Sequence, residues 1–192
     1  MGLLGIILAE LDARLLTDAP APARYLLNLL IPVLGGLAYG PGGAALERAM
    51  ALCAGPHGAR MTAGRCLLER HRDALFVVRE GRDLGQNEIP PGQAGIWDGR
   101  FRIENRSCET LHIAPAGVDA ASPGEEAFLP RRLARLAGKV RPALPPFEDV
   151  SCTPFLAPFD RFLPGFELAL ANAIAAAFAR PAYPDPAPAY LR

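Results

Sequence analysis

The sequence predicts an α+β fold: an N-terminal helical segment followed by a small antiparallel β-hairpin domain with C-terminal helices. Three observations carry that prediction. Apolar residues in the first quarter recur three and four apart, the period changes to two from about residue 60, and Asp98-Gly99 stands between two extended runs. The composition is that of a folded chain, with 192 residues, 51% of them hydrophobic, and 20 basic against 20 acidic side chains. At this size roughly 70% of the unfolded surface is buried on folding, so no disulfide or metal staple is needed.

A first helix is expected on Leu4, Ile7, Leu8 and Leu11, ending at a break over residues 17–22. A second starts at Pro22 or Ala23, runs through Leu26, Leu29, Leu30 and Val33, and stops at Gly35-Gly36. A short third helix over residues 44–54 places Leu46, Met50 and Cys53 on one face and ends before Gly55-Pro56. The first hairpin joins residues 66–70 to residues 75–79 and pairs Leu68 with Val77. In the second, a two-residue type I′ turn at Asp98-Gly99 sets Trp97 opposite Arg100 and Ile96 opposite Phe101. Ile96, Phe101 and Ile103 then point to the core, while Trp97, Arg100 and Arg102 share the other face. A further strand is expected over residues 110–114. A helix with Pro130 in its first turn and Gly138 at its C-cap carries Arg131, Arg132, Leu133, Arg135 and Leu136, and another over residues 167–179 repeats Leu170, Ile174 and Phe178.

These elements divide the chain into a helical linker-like segment over residues 1–56, an α+β domain over residues 57–180, and a Pro-rich extended or disordered tail over residues 181–192. The apolar run at residues 26–38 contains Pro32 and falls short of the roughly 20 residues of a spanning helix. No basic residue precedes the apolar N-terminus, and Cys53, Cys66, Cys108 and Cys152 are too widely spaced for a CxxC motif. The expectation is a cytoplasmic protein with no membrane partner.

Phosphate-binding loops of the GxxxxGK[ST], GxGxxG and Ser-Gly-Gly-x-Asp-Ser types are absent, so no catalytic, metal or cofactor residue is assigned. His57, His71 and His112 occur singly, and Cys108 with His112 has no second pair to complete a metal site, so all read as structural. Zero net charge excludes nucleic-acid binding through the whole surface and leaves only a local patch. The charge distribution supplies one: residues 131–141 hold Arg131, Arg132, Arg135, Lys139 and Arg141 with no acidic residue. Arg131 and Arg135 stand one helical turn apart, as contact with a phosphate backbone requires; a solvated face neutralised by Glu125 and Glu126 is the competing reading. The hairpin face of Trp97, Arg100 and Arg102 is the second candidate, able to stack on a base or to close on itself as a Trp97–Arg100 cation–π pair.

The run Gly64-Arg65-Cys66-Leu67-Leu68-Glu69-Arg70, then Val77-Val78-Arg79-Glu80, Pro90-Pro91-Gly92 and Ile96-Trp97-Asp98-Gly99-Arg100-Phe101-Arg102-Ile103, resembles the C-terminal part of bacterial tRNA(Ile)-lysidine synthetases of the alphaproteobacterial type. Tyr25-Leu26-Leu27 and Gly35-Gly36-Leu37-Ala38-Tyr39-Gly40-Pro41 are similar to that family's helical linker, and the resemblance covers about residues 8–140. It implies a parent enzyme that adenylates a cytidine at the tRNA wobble position with ATP and then displaces AMP with lysine. The family's ATP-binding loop and catalytic carboxylates belong to an N-terminal α/β domain with no counterpart in these residues, so no catalytic, ATP or lysine position carries over.

Two functions follow as expectations. One is a tRNA-binding and positioning module, not catalytic alone, working with a separate catalytic domain. The other is a protein-interaction or homo-oligomerisation domain, in which Leu4, Ile7, Leu8, Leu11, Leu26, Leu29, Leu30 and Val33 offer more apolar surface than two helices can bury.

Overall fold

The computed structural model of the chain describes residues 2–3, 7–117, 131–145, 148–162 and 167–185. In chain order the elements are β1 (Gly2–Leu3), β2 (Leu8–Asp12), α1 (Ala13–Asp18), α2 (Pro20–Gly35), α3 (Gly43–Cys53), β3 (Arg60–Ala63), β4 (Cys66–His71), β5 (Ala74–Arg79), β6 (Asn87–Ile89), β7 (Ala94–Trp97), β8 (Phe101–Asn105), β9 (Leu111–Pro115), α4 (Arg131–Lys139), β10 (Pro142–Ala143), β11 (Val150–Pro154), α5 (Ala157–Asp160) and α6 (Leu168–Ala177). The fold is α+β. A five-stranded antiparallel sheet runs β1-β2-β5-β4-β3, and two three-stranded sheets run β10-β9-β6 and β11-β8-β7.

The expected N-terminal helix is a strand. Leu8 pairs with Val78 and Asp12 with Ala74, which puts β2 inside the sheet between β1 and β5. Ile7, Leu8 and Ala9 are all buried, so both faces of the strand are covered and its apolar residues do not alternate. An unbroken apolar run of this length fits a buried strand and a helix equally well, and the three-and-four spacing was coincidental. Leu4 lies outside the described residues. Helix begins only at α1, where the Asp12 carboxylate accepts the Arg14 N–H at 2.8 Å as an N-cap.

This placement removes the argument for self-association. Ile7, Leu8, Leu11, Leu29, Leu30 and Val33 are buried within the chain, and Leu26 packs against the same core. Helix α2 lies over the sheet with Leu27, Leu30, Ile31 and Leu34 inward, and α3 adds Leu46, Ala49 and Cys53. The helix of residues 44–54 thus stands as expected, within one residue at each end.

Of the two hairpins, the first has the expected register: Leu68 faces Val77, and the turn closes at Arg72-Asp73 between His71 and Ala74. The second is shifted by one. Asp98 and Gly99 take φ of 51° and 70°, as a type I′ turn demands, and the Arg100 N–H reaches Trp97 O at 3.1 Å. Arg100 then bulges out of the ladder, giving its carbonyl to the Phe155 N–H at 2.6 Å, so that Trp97 faces Phe101 and Ile96 faces Arg102. A one-residue slip exchanges the faces of a strand. Phe101 and Ile103 are in the core as expected, but Trp97 joins them and Ile96 stands half-exposed.

At the C-terminal end, α5 and α6 bring Phe159, Ala171, Ile174 and Phe178 into the core. Within the Pro-rich tail Tyr183 is fixed: its hydroxyl donates to Asp160 Oδ1 at 2.8 Å and its N–H to Asn172 Oδ1 at 2.7 Å. Among the described residues no helix is long and apolar enough to cross a membrane.

Candidate nucleic-acid interface

Helix α4 reads Arg-Arg-Leu-Ala-Arg-Leu-Ala-Gly-Lys. Its 3.6-residue period sends Leu133, Ala134, Ala137 and Gly138 inward and leaves Arg131, Arg132, Arg135 and Lys139 exposed. Arg131, Arg135 and Lys139 follow one another at intervals of four, which is a single row along the helix. With Arg132 and Leu136 they line a surface concavity of about 630 Å³. Arg132 reaches Glu69 on β4 at 3.5 Å, whereas Arg131, Arg135 and Lys139 make no ion pair among the described residues. Glu125 and Glu126, the candidate neutralising groups, lie outside the described residues.

The charges in the first turn of α4 run against its dipole, while Lys139 in the last turn runs with it. Two arginines and no acidic residue occupy the first turn, where backbone N–H groups already concentrate positive charge. Each such cation costs about 0.3–1 kcal/mol. An anion laid over that end would relieve the repulsion from side chains and backbone together.

The remaining predicted residues are placed differently. Arg141 follows the helix, is half-buried, and accepts the Ala116 N–H on its carbonyl at 2.8 Å, so it is not part of the exposed row. Arg102 is exposed on β8, with its Nε 3.4 Å from Glu104 Oε1. Trp97 and Arg100 require correction: they are 1% and 0% exposed, and neither shares a solvent face with Arg102. Trp97 Nε1 donates to Gly85 O at 3.0 Å, and the Arg100 guanidinium carbon lies 6.0 Å from the Trp97 ring centre and 5.1 Å from that of Phe101. The cation–π contact is therefore internal. No base can stack on a ring that the bulge at Arg100 has turned into the core.

Arg100 belongs instead to a cluster of three arginines around one carboxylate, which sequence reasoning missed. Asp98, with a side chain 1% exposed, receives Arg79 as a two-toothed pair, Nε to Oδ2 at 3.0 Å and Nη2 to Oδ1 at 2.9 Å. Arg65 Nη2 adds 2.5 Å to Oδ1 and Arg100 Nε 2.7 Å to Oδ2. The other donors of Arg79 end on backbone carbonyls, Nη1 on Arg65 O and Glu80 O and Nη2 on Arg82 O as well as Asp98. Burial draws Arg100 down to about 10, against the pull of Asp98. With its donors committed to internal acceptors, the cluster is a joint rather than an open anion site.

Backbone packs against backbone at this joint. A Cβ on Gly36, whose φ is +68°, would stand 2.0 Å from Asp98 O, and one on Gly99 would stand 2.2 Å from Gly36 O. The Arg65 Nη1 also donates to Gly35 O at 3.1 Å. The separate motifs Gly35-Gly36, Gly64-Arg65, Arg79-Glu80 and Trp97-Asp98-Gly99-Arg100 therefore meet in space. Their signal in the sequence was an Asp-Gly turn flanked by arginines, which gives no sign of burial.

Among the described residues no group of three or more His, Cys, Asp or Glu side chains could hold a metal ion. His57 Nδ1 accepts the Arg72 N–H at 3.0 Å beside its turn, and His112 lies 3.2 Å from Glu88 across the β6–β9 pair.

No family model matches the chain, and no solved structure matches it. Curated proteins do. A tRNA(Ile)-lysidine synthase of Rhizobium meliloti is 31% identical over 191 residues, covering 94% of this chain and 42% of that protein. One from Mesorhizobium japonicum is 34% identical over 194 residues, with 88% and 40% covered, and one from Brucella canis is 29% identical over 184 residues, with 84% and 41% covered. The chain spans about two fifths of the length of the curated relatives it matches, consistent with their C-terminal portion. Because relatives from several genera match along nearly the whole of this sequence, and match under one name, the chain belongs to the tRNA(Ile)-lysidine synthase family.

Proposed function

We propose that this chain is a tRNA-binding and positioning portion of a tRNA(Ile)-lysidine synthase and performs no adenylation by itself. The observation that carries the reading is the Arg131–Arg135–Lys139 row, exposed, without an ion pair among the described residues, and beginning at the helix end where an anion is most favoured. Arg132 flanks the row. The partner is the phosphate backbone of tRNA, met through charge and shape rather than base identity. ATP and lysine are handled by other parts of the family's architecture, and the residues of this chain take no chemical step.

The test is a titration of the purified chain with tRNA(Ile) and an unrelated tRNA, each at several salt concentrations. Replacing Arg131 and Arg135 together by Ala should weaken binding to both RNAs about equally and reduce the salt slope by roughly one unit for each phosphate no longer neutralised. Unchanged affinity and slope would remove α4 from the interface. A protein-facing role is favoured by one other observation, the exposed pair Tyr39 and Phe162, 73% and 49% exposed with ring centres 5.6 Å apart. That surface would serve docking against another part of the enzyme.

A further inference from the structure

The basic helix is fixed to the rest of the molecule in an unusual way. Its inward face is made of small residues, with Leu133 the one large side chain among its four buried positions. Apolar packing of this kind favours burial but is not directional, so it sets the position of a short helix along its axis only loosely. A directional bond supplies what is lacking. Val140 directly follows α4, closes the last turn through its N–H to Leu136 O at 3.2 Å, and gives its carbonyl to Arg100 Nη2 at 2.5 Å. The cation thus sits at the helix end where unpaired carbonyls concentrate negative charge.

Arg100 cannot move independently. Its Nε is held by Asp98 at 2.7 Å, and the same carboxylate is held by Arg79 and Arg65. The connection runs from the β4–β5 hairpin through Asp98 at the β7–β8 turn to Arg100 and then to the end of α4. The guanidinium reaches these two acceptors from two nitrogens fixed in one plane, whereas the ammonium of Lys would have to reach both from a single nitrogen with no fixed direction.

We propose that Arg100, held by Asp98, is the positioning residue that sets where the Arg131–Arg135–Lys139 row stands relative to the sheets, so that the row meets a polyanionic backbone as one surface. This rests on the reading of α4 as a phosphate-binding helix, which it deepens. Arg100 touches no RNA itself, being 0% exposed.

The test compares Arg100→Lys with Leu46→Ala, a cavity variant in α3 that lowers stability without touching the joint, the two being brought to equal stability by temperature. Two quantities are read on the full chain: hydrogen exchange of the amides of residues 135–140, and the salt slope of binding to tRNA(Ile). Arg100→Lys should speed exchange in that segment at least tenfold over Leu46→Ala and lower the salt slope by one unit or more. Leu46→Ala should leave the slope unchanged. If Arg100→Lys does not fold, Asp98→Asn serves in its place. Equal exchange in residues 135–140 for the two variants would overturn the positioning role. If exchange rises but Arg131→Ala with Arg135→Ala leaves binding intact, the joint positions α4 and the RNA reading of that helix is what fails. If the double substitution weakens binding while Arg100→Lys leaves exchange and slope unchanged, the RNA reading stands and the positioning role is overturned.

Discussion

Replacing Gly36 by Ala tests the joint at its least tolerant point. Gly36 has φ of +68°, which a side chain disfavours by roughly 1–2 kcal/mol, and the added Cβ would stand 2.0 Å from Asp98 O. That neighbour is backbone in a turn whose side chain is held by three arginines, so it cannot swing aside as a flexible side chain would. Overpacking against a fixed neighbour costs about 1–3 kcal/mol more, giving a loss of roughly 2–5 kcal/mol against the 5–15 kcal/mol by which domains are usually stable. Gly43→Ala is the control, since nothing lies within 4 Å of its Cβ position at the start of α3; it should be neutral or up to about 1 kcal/mol stabilising. Urea unfolding followed by circular dichroism reads both, provided the dependence on urea is the same. A Gly36→Ala protein within 1 kcal/mol of the parent would refute the close backbone packing on which the joint depends.

Trp97→Phe removes the hydrogen bond to Gly85 O and should cost about 1–2 kcal/mol of stability with no change in tRNA affinity; weakened binding at equal foldedness would return Trp97 to the interface. Tyr183→Phe should cost about 1 kcal/mol and increase proteolysis beyond residue 180, because the hydroxyl bonds Asp160 Oδ1 at 2.8 Å. Burial pushes the Cys66 thiol up to about 12 from an ordinary 9.0, so the folded chain keeps a proton that the unfolded chain has lost above pH 9. Its stabilisation is complete well below that pH and falls by about 1 kcal/mol between pH 9 and 10, beneath the point where Arg100, drawn down to about 10, acts in the opposite sense. Urea unfolding at pH 8, 9 and 10 should show a flatter fall in Cys66→Ala, and identical slopes would refute the assignment.

The elements that were legible in the sequence carry a second signal beside their apolar residues, a tight turn or a charged face. The 66–79 hairpin showed its register because a tight turn fixes it, and α4 showed its row because four charges and the inward Leu, Ala and Gly separate at helical period. Where both faces are dry and no tight turn sets the register, the pattern is lost, as at Leu8 and Ala9 in β2 and Ile7 just before it. A bulge leaves no mark either: nothing in Trp97-Asp98-Gly99-Arg100 says that Arg100 drops out of the ladder, yet that one residue decides which side Trp97 faces. Strand β11 was hidden for another reason. Val-Ser-Cys-Thr-Pro carries little apolar pattern and ends in proline, which an edge strand tolerates and a central one does not. As for the candidate site, the exposed cations were readable and the buried joint was not, since arginine on a sheet is expected in water until a partner is found for it.

The position of β2 has a consequence for how the chain is made. Strand β2 pairs with β5, whose residues are synthesised only after α1, α2, α3, β3 and β4. Until Asp12 finds Ala74, Leu8 and Leu11 have no sheet to enter, and the helices that will cover them have nothing to cover. Closing so long a loop is slow, and an apolar strand left waiting is a target for chaperones and for pairing with another nascent chain. Yield during synthesis should therefore respond most strongly to changes that delay the β4–β5 hairpin, because that hairpin presents the edge on which β2 finally settles.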